Sequence, residues 1–213
     1  MKLIVGMFLS LDGVMQAPGG PDEDREGGFD LGGWLPPYAD EDMGKFMVES
    51  ITSTDAFLLG RKTYEIFVAH WPLVTDENDP LATSLNRKPK YVASKTLDKV
   101  DWNNSTLLKG DVAEAVAELK RQPGGELQVQ GSGELAQTLM RLDLVDEYRL
   151  LVYPVVLGKG KRLFRDGNIP AALRLVDTQT TGTGVAMNTY ESAGKPKFGQ
   201  FEVDQDERFW EDS

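Results

Sequence analysis

Apolar and polar residues follow one another along the chain in periods that predict strands followed by helices. Residues 2–9 form an apolar run that is typical of a buried strand. From Asp40 onward, Met43, Phe46, Met47, Ser50 and Ile51 recur at spacings of three and four, which predicts a helix with one buried face. Residues 55–60 are again a short apolar run that ends in glycine, and the helical period returns directly after it.

The same succession continues through the middle of the chain. Strands are predicted at residues 88–95, 126–130 and 145–158, with helices at 111–121 and 133–142. Strands that alternate with helices imply a parallel sheet with crossover connections. Residues 173–180 and 185–192 are two alternating segments separated by TGTG, and they predict an antiparallel hairpin at the edge of the sheet. The pattern therefore predicts an α/β domain whose sheet is mostly parallel.

Residues 17–37 form a loop that is unusually long for the inside of one domain. The loop carries several Gly pairs and the acidic cluster Asp22, Glu23, Asp24 and Glu26. Loops of this kind are more often active-site lids than linkers, and a disordered insertion is the alternative. We expect one domain over residues 1–194, which includes this loop. An acidic tail follows at 195–213, and we expect it either to dock on a partner subunit or to fray.

Composition removes several classes of function. The 213 residues include no Cys and one His, which excludes disulfides, thiolate nucleophiles and Cys- or His-rich metal sites, so no metal is expected. His70 ends a predicted helix, where it is expected to cap the helix or pack as an aromatic ring. The net charge of −11 argues against nucleic acid or an anionic membrane as the partner. The apolar start is interrupted by Asp12 without a cleavage site, and no apolar run approaches the roughly 18 residues of a membrane span, so we expect a cytoplasmic protein.

Three predicted strand ends carry glycine or small polar residues directly before a helix or a turn. They are Gly60 with Arg61, Lys62 and Thr63; Ser94 with Lys95; and Gly131, Ser132 and Gly133. The first amides of a helix lack partners and attract anions, and a parallel sheet gathers such strand ends at one edge. We therefore expect a ligand with two or three phosphates. The stretch GSGELA fits the dinucleotide pattern GxGxxA, but it comes late in the chain and no acidic residue ends the next strand, so a Rossmann fold is not predicted.

Five short motifs in order give the chain a family resemblance. SLDG (10–13), LLGRKTYE (58–65), VASK (92–95), QGSGEL (130–135) and YPVVLGKGKRLF (153–164) resemble the dihydrofolate reductase-like superfamily, in particular the reductase domain of bacterial riboflavin biosynthesis. The resemblance implies a three-layer α/β/α fold, a homodimer, and an NADPH-dependent reductase similar to 5-amino-6-(5-phosphoribosylamino)uracil reductase. The substrate would be a pyrimidine- or pteridine-like heterocycle. The alternatives are dihydrofolate reductase-type activity and an NADPH-binding sensor without turnover.

The same resemblance assigns roles to positions of this chain. It implies that cofactor phosphates lie at Gly60, Arg61, Lys62 and Thr63, the adenosine 2′-phosphate at Ser94 and Lys95, and the pyrophosphate at Gly131, Ser132, Gly133 and Glu134. Phe8 through Met15 would line the nicotinamide pocket, with Asp12 and Gly13 shaping its turn. NADPH is favoured over NADH by the residues as well, because a 2′-phosphate is what Lys95 and Arg61 would recognise.

Catalytic roles are implied for two further residues. Trp34 and Asp40 match the positions where dihydrofolate reductases carry a tryptophan and the acidic residue that holds the substrate ring, although one extra residue separates them here. A buried Asp40 carboxylate could hydrogen-bond the ring or relay a proton, and the alternative is that Asp40 caps the helix that follows. Lys159, Lys161 and Arg162 could clamp a substrate phosphate, but a structural turn with solvated cations is the favoured interpretation.

Overall fold

The computed structural model describes residues 1–201. The expectation that the tail docks or frays falls mainly on residues 202–213, which lie outside the described residues, and it stays a prediction. Within residues 1–201, no helix is both long and apolar enough to cross a membrane.

Eight strands of the described part of the chain form one sheet. Their bounds are β1 Lys2–Ser10, β2 Ala56–Gly60, β3 Lys90–Ala93, β4 Ser105–Leu108, β5 Glu126–Gln130, β6 Glu147–Tyr153, β7 Leu173–Thr180 and β8 Ala186–Ser192. The strand order is β4-β3-β2-β5-β1-β6-β8-β7. The first six strands of that order pair in parallel, whereas β8 pairs antiparallel with both β6 and β7. The predicted mostly parallel sheet and its terminal hairpin are confirmed.

Five α-helices within residues 1–201 cover the two faces of the sheet. They are α1 Glu41–Ser53, α2 Arg61–His70, α3 Pro80–Arg87, α4 Val112–Arg121 and α5 Gly133–Arg141. The two faces are separate because side chains alternate along each strand: in β2, Leu58 packs with residues of α4 and α5, whereas Phe57 and Leu59 pack with residues of α1, α2 and α3. This is the three-layer arrangement that the resemblance implies. His70 ends α2 and its ring packs edge-on against Trp71 at 5.1 Å, as expected.

Two elements were missed by the sequence pattern, and one was predicted too long. Helix α3 has only eight residues and begins with Pro80, and β4 has four residues, none of them fully buried, so both periodic signals are short. The predicted strand 145–158 ends at Tyr153 in the structure. Pro154 follows directly, and because proline has no N–H it cannot continue the ladder of hydrogen bonds.

Candidate active site

A cleft of about 1240 Å³ lies along the carboxyl ends of β3, β2, β5 and β1. In that order of strands it is lined by Lys95 after β3, Gly60 at the end of β2, Gly131 after β5, and Phe8 on β1. Three interstrand spacings separate β3 from β1, or roughly 14 Å. The sheet order thus brings the three predicted strand ends to one edge. The cleft is larger than the roughly 300–1000 Å³ of a pocket for a drug-sized ligand, so it can hold an extended one.

The starts of α2 and α5 open into this cleft without a side-chain cap. The three other helices each begin with an aspartate that accepts hydrogen bonds from their first amides, namely Asp40, Asp79 and Asp111. By contrast, within residues 1–201 the N–H groups of Arg61 and Lys62 in α2, and of Gly133 and Glu134 in α5, donate to no acceptor. Free amides at two converging helix starts form an anion-binding surface.

The glycine turn before α5 is tied to the start of α2. Ser132 has a left-handed backbone (φ 55°), and its N–H donates to Thr63 Oγ1 at 3.1 Å while its Oγ accepts the Gly60 N–H at 2.9 Å. Gly131 also has a positive φ of 57°, a conformation that suits glycine. A Cβ on Gly133 would collide with the end of the Met15 side chain, so this glycine allows Met15 to lie over the helix start. Thr63 and Ser132 therefore hold the two turns together and leave the neighbouring amides exposed to the cleft.

The β3 end of the cleft carries a lysine without a counter-ion. Lys95 is exposed, and no carboxylate lies within 4.0 Å of its Nζ among residues 1–201. Ser94 closes the turn before it, since its Oγ accepts the N–H groups of Thr96 and Leu97 at 3.1 and 3.0 Å. Arg61 reaches the same turn and donates to Thr96 Oγ1 at 3.0 Å. The residues assigned to the 2′-phosphate thus lie together, with Lys95 available to a ligand.

The β1 end of the cleft is covered by the acidic loop, which we define as residues 22–26. Asp24 accepts from Lys161 Nζ at 2.6 Å, and Glu26 accepts from Lys161 Nζ at 2.6 Å and from Lys62 Nζ. Residues 23–26 and both lysines line the cleft. The predicted 17–37 loop therefore contributes to the wall of the cleft through defined contacts.

These contacts keep the carboxylates of Asp24 and Glu26 ionised. Burial raises the pKa of Asp24, but its hydrogen bond from Lys161 and the nearby charges of Lys161 and Lys62 outweigh burial, so the pKa is lowered. Hydrogen bonds from Lys161 and Lys62 lower the pKa of Glu26 to about 2. Lys159 and Arg162, the neighbours of Lys161, pair with Asp30 at 2.6 Å and Asp12 at 3.1 Å. The sequence favoured a structural turn with solvated cations here, but in the structure the three cations of the KGKR turn are paired with carboxylates.

Asp12 and Gly13 shape the turn after β1 but do not line the cleft. Gly13 has a φ of 80° and its N–H donates to Ser10 O at 2.8 Å. The Asp12 carboxylate accepts hydrogen bonds from Ser10, Leu157, Gly158 and Arg162. Burial raises the pKa of Asp12, and these hydrogen bonds outweigh it and hold the pKa far below its usual range. From the segment Phe8 to Met15, only the two end residues reach the cleft.

Trp34 and Asp40 lie outside the lining of the cleft. Trp34 is buried against Tyr153, with ring centroids 5.3 Å apart, and its Nε1 donates to Gln16 O at 2.9 Å. Asp40 is the N-cap of α1: its Oδ1 accepts the Met43 N–H at 2.9 Å, and its Oδ2 accepts from Thr183 N and Oγ1 at 3.1 and 3.0 Å. The bond from Met43 lowers the pKa of Asp40. Its carboxylate is therefore charged and half-exposed and caps α1, which is one of the two roles that the sequence left open. A catalytic role for either residue stays a prediction.

Two buried glutamines of the cleft were not singled out from the sequence. Gln16 is 4% exposed, and its Nε2 donates to the carbonyl oxygens of Asp24 and Glu26 in the acidic loop. Gln130 is 8% exposed, and its Oε1 accepts a hydrogen bond from Gln128 Nε2 at 3.0 Å. A Cβ at Gly6 of β1 would collide with the side chains of Gln128 and Gln130, so glycine at this position allows the hydrogen-bonded pair to lie over β1. The signal for the Gln128–Gln130 pair was present in the sequence, because these two glutamines are two residues apart in β5 and therefore share one face of the strand.

Comparison with known proteins gives one family and one fold. The family model of the RibD C-terminal domain matches residues 1–187. The chain is 32% identical to the uncharacterized protein YyaP of Bacillus subtilis (strain 168), over 91% of this chain and 96% of that protein.

Among solved structures, a Shewanella sp. PV-4 protein provisionally assigned to riboflavin biosynthesis is similar with a TM-score of 0.64. It is 24% identical, and the match covers 90% of this chain and 99% of the other. Dihydrofolate reductase from Enterococcus faecalis, in a complex with NADP(H), is similar with a TM-score of 0.56 at 15% identity, covering 90% and 96%. At these identities the structures show the fold alone, and that fold is dihydrofolate reductase-like.

Proposed function

The chain belongs to the RibD C-terminal domain family, and on that premise we propose that it is an NADPH-dependent reductase of a small pyrimidine- or pteridine-like ring. The observation that carries the proposal is the arrangement of the cleft. Two helix starts lie between Lys95 at one end and the apolar side chains of Phe8 and Met15 at the other, and among residues 1–201 neither helix start has a side-chain cap and Lys95 has no carboxylate partner. NADPH carries its 2′-phosphate, its pyrophosphate and its nicotinamide ring in that same order.

The residues fit NADPH as follows. The free amides of Gly133 and Glu134, together with those at the start of α2, would donate to the pyrophosphate oxygens. Lys95 would pair with the 2′-phosphate, and Ser94 shapes the turn that presents it. NADPH supplies the hydride when bound, so the chain needs no nucleophile of its own. Phe8 and Met15 would exclude water from the ring and hold it against the substrate, and such positioning accounts for much of the rate enhancement in reactions of this type.

Titration calorimetry with NADPH and NADH tests the cofactor assignment. We expect NADPH to bind at least roughly ten-fold more tightly, since a charge-assisted contact to the 2′-phosphate contributes about 1.5–3 kcal/mol. Equal affinity for the two cofactors would contradict the assignment. Loss of NADPH absorbance during incubation with dihydrofolate and with pyrimidine substrates then measures turnover. Tight binding without turnover on any ring would favour the sensor alternative.

We also propose that the protein is a homodimer. Strand β7 is the edge of the sheet and is exposed along nearly its whole length, including Leu175 and Val176, each 48% exposed. Apolar residues on an open edge strand are typical of a surface that pairs with another chain. Light scattering would give twice the mass of one chain, and a monomer mass at all concentrations would contradict the proposal. The cytoplasmic location stays a prediction.

A further inference from the structure

Lys161, at the β1 end of the cleft, and Lys62, at the start of α2, are neutralised from within the chain. Lys161 Nζ lies 2.6 Å from both Asp24 Oδ2 and Glu26 Oε2, and Lys62 also pairs with Glu26. The Asp24–Lys161 pair is partly buried, with side chains 21% and 31% exposed, so solvent screens it less than a surface pair. Arg25, the remaining cation at this end, pairs with Asp22 at 2.5 Å.

The buried side-chain amide of Gln16 holds the backbone at Asp24 and Glu26 in place. Gln16 Nε2 donates to the carbonyl oxygens of Asp24 and Glu26 at 3.1 and 3.0 Å, and Gln16 Oε1 accepts the Lys161 N–H at 3.1 Å. One side chain that is 4% exposed thus fixes both partners of the ion pair. The acidic loop is therefore built into the wall of the cleft, and its negative charge is a fixed property of this end.

We propose that Asp24 and Glu26 determine substrate specificity by excluding phosphorylated rings, so that the substrate is an uncharged heterocycle. The inference rests on the proposed function and narrows its substrate class. A hydride acceptor must lie beside the nicotinamide at the β1 end, close to Phe8 and Met15. A phosphate carried by that acceptor would find Lys161 already paired, and it would lie next to the carboxylates of Asp24 and Glu26.

Charge decides this selection because the exclusion is electrostatic. A phosphate can reach Lys161 only by breaking its pairs with Asp24 and Glu26, which removes a counter-ion from both carboxylates beside a new anion. An uncharged ring disturbs none of these pairs. Removal of the two negative charges would leave Lys161 free to bind a phosphate, since cations on a partly enclosed surface attract such anions.

Binding of ribose 5-phosphate to the NADPH-saturated protein tests the proposal. Excess NADPH occupies the phosphate sites of the cofactor, so that the titration reports the β1 end. We expect the Asp24→Asn/Glu26→Gln variant to bind ribose 5-phosphate at least ten-fold more tightly than the wild type does, and ribose itself to distinguish the two proteins by less than two-fold. Equal affinity of wild type and variant for ribose 5-phosphate would overturn the proposal.

Control variants separate this charge effect from other causes. Asp30→Asn removes one negative charge from the 17–37 loop at a carboxylate that does not line the cleft and whose partner, Lys159, does not line it either, and it should leave the affinity for ribose 5-phosphate unchanged. Glu26→Gln alone alters an exposed side chain and should give a smaller gain, which keeps the test available if the double variant fails to fold. The titrations can be repeated without cofactor. A protein that binds no NADPH would therefore contradict the proposed function while the exclusion of phosphate was still measured.

Discussion

The two ends of the cleft present lysines in opposite electrostatic settings. At the β3 end, Lys95 is exposed and has no carboxylate partner among residues 1–201. At the β1 end, Lys161 lies 2.6 Å from two carboxylates of the acidic loop. Both lysines line one cleft in a chain of net charge −11, so neither composition nor proximity explains the difference.

A lysine side chain therefore indicates an anionic ligand only where no carboxylate of the chain already pairs with it. An unpaired cation gains a charge-assisted contact when a phosphate arrives, whereas a paired one must first lose the contact it has. The same residue type therefore favours a phosphate at the β3 end and disfavours one at the β1 end. Four predictions test this contrast and the geometry around it.

Substitution of Lys95 should have the largest effect on cofactor binding. We expect Lys95→Ala to weaken NADPH binding roughly ten-fold or more, because a hydrogen bond to a charged group contributes about 1.5–3 kcal/mol. NADH binding should stay nearly unchanged. Lys99→Ala is the matched control, since Lys99 is a nearby lysine that pairs with Asp101 and does not line the cleft. Equal losses for both cofactors, measured by calorimetry, would remove Lys95 from the 2′-phosphate site.

The glycine turn between the two ends should matter for the backbone approach of the pyrophosphate. Gly131→Ala places a Cβ at the cleft and a non-glycine residue at φ 57°, which costs roughly 1–2 kcal/mol of stability. Gly167→Ala is the control, because it has a similar φ of 83° and open space around it, outside the cleft. Thermal unfolding should show similar losses in both variants, while calorimetry should show weaker NADPH binding only for Gly131→Ala. Equal NADPH affinity in the two variants would contradict the pyrophosphate assignment.

Substitution of Asp40 distinguishes a structural role of this residue, as the N-cap of α1, from a catalytic one. Because both of its oxygens accept hydrogen bonds, Asp40→Ala should cost about 1 kcal/mol of stability, and Asp40→Asn, which retains a capping oxygen, should cost less. We expect Asp40→Asn to keep NADPH affinity and to change turnover by no more than about two-fold. A much larger loss of turnover in a stable Asp40→Asn protein would support the catalytic role that the resemblance implies.

Low pH should weaken the ion pairs of the acidic loop and should lower the free energy of unfolding only slightly. The Lys161 and Lys62 hydrogen bonds lower the pKa of Glu26 from 4.5 to about 2, so this carboxylate stabilises the folded state above pH 4.5 and loses that contribution as the pH falls toward 2. The Tm of the wild type should exceed that of Glu26→Gln at neutral pH, and the gap should narrow across this acidic range. A constant gap at all pH values would mean that the ion pairs of Glu26 do not stabilise the loop.

Much of the architecture could be predicted because it follows from local periodicity. The apolar run of β1, the helical period after Asp40 and the alternating segments of β7 and β8 are visible in the chain itself, and the structure confirms all three. The elements that were missed, α3 and β4, are short and only partly buried, so tertiary contacts outweigh their local signal. The residues of the cleft were predicted best where a glycine turn ends a strand, because backbone geometry there depends on residue type.

The amino-acid sequence alone was sufficient to predict the α/β class, the three glycine or lysine strand ends, and the exclusion of thiolate nucleophiles and His-rich metal sites, since these depend on residue type and on neighbours along the chain. Which charges are paired became known only from the tertiary structure. Lys161 meets Asp24 across 137 positions of the chain, and Gln16, which fixes that pair, carries no periodic signal. Pairing depends on distances in space of a few ångströms, and the order of residues along one chain does not specify them.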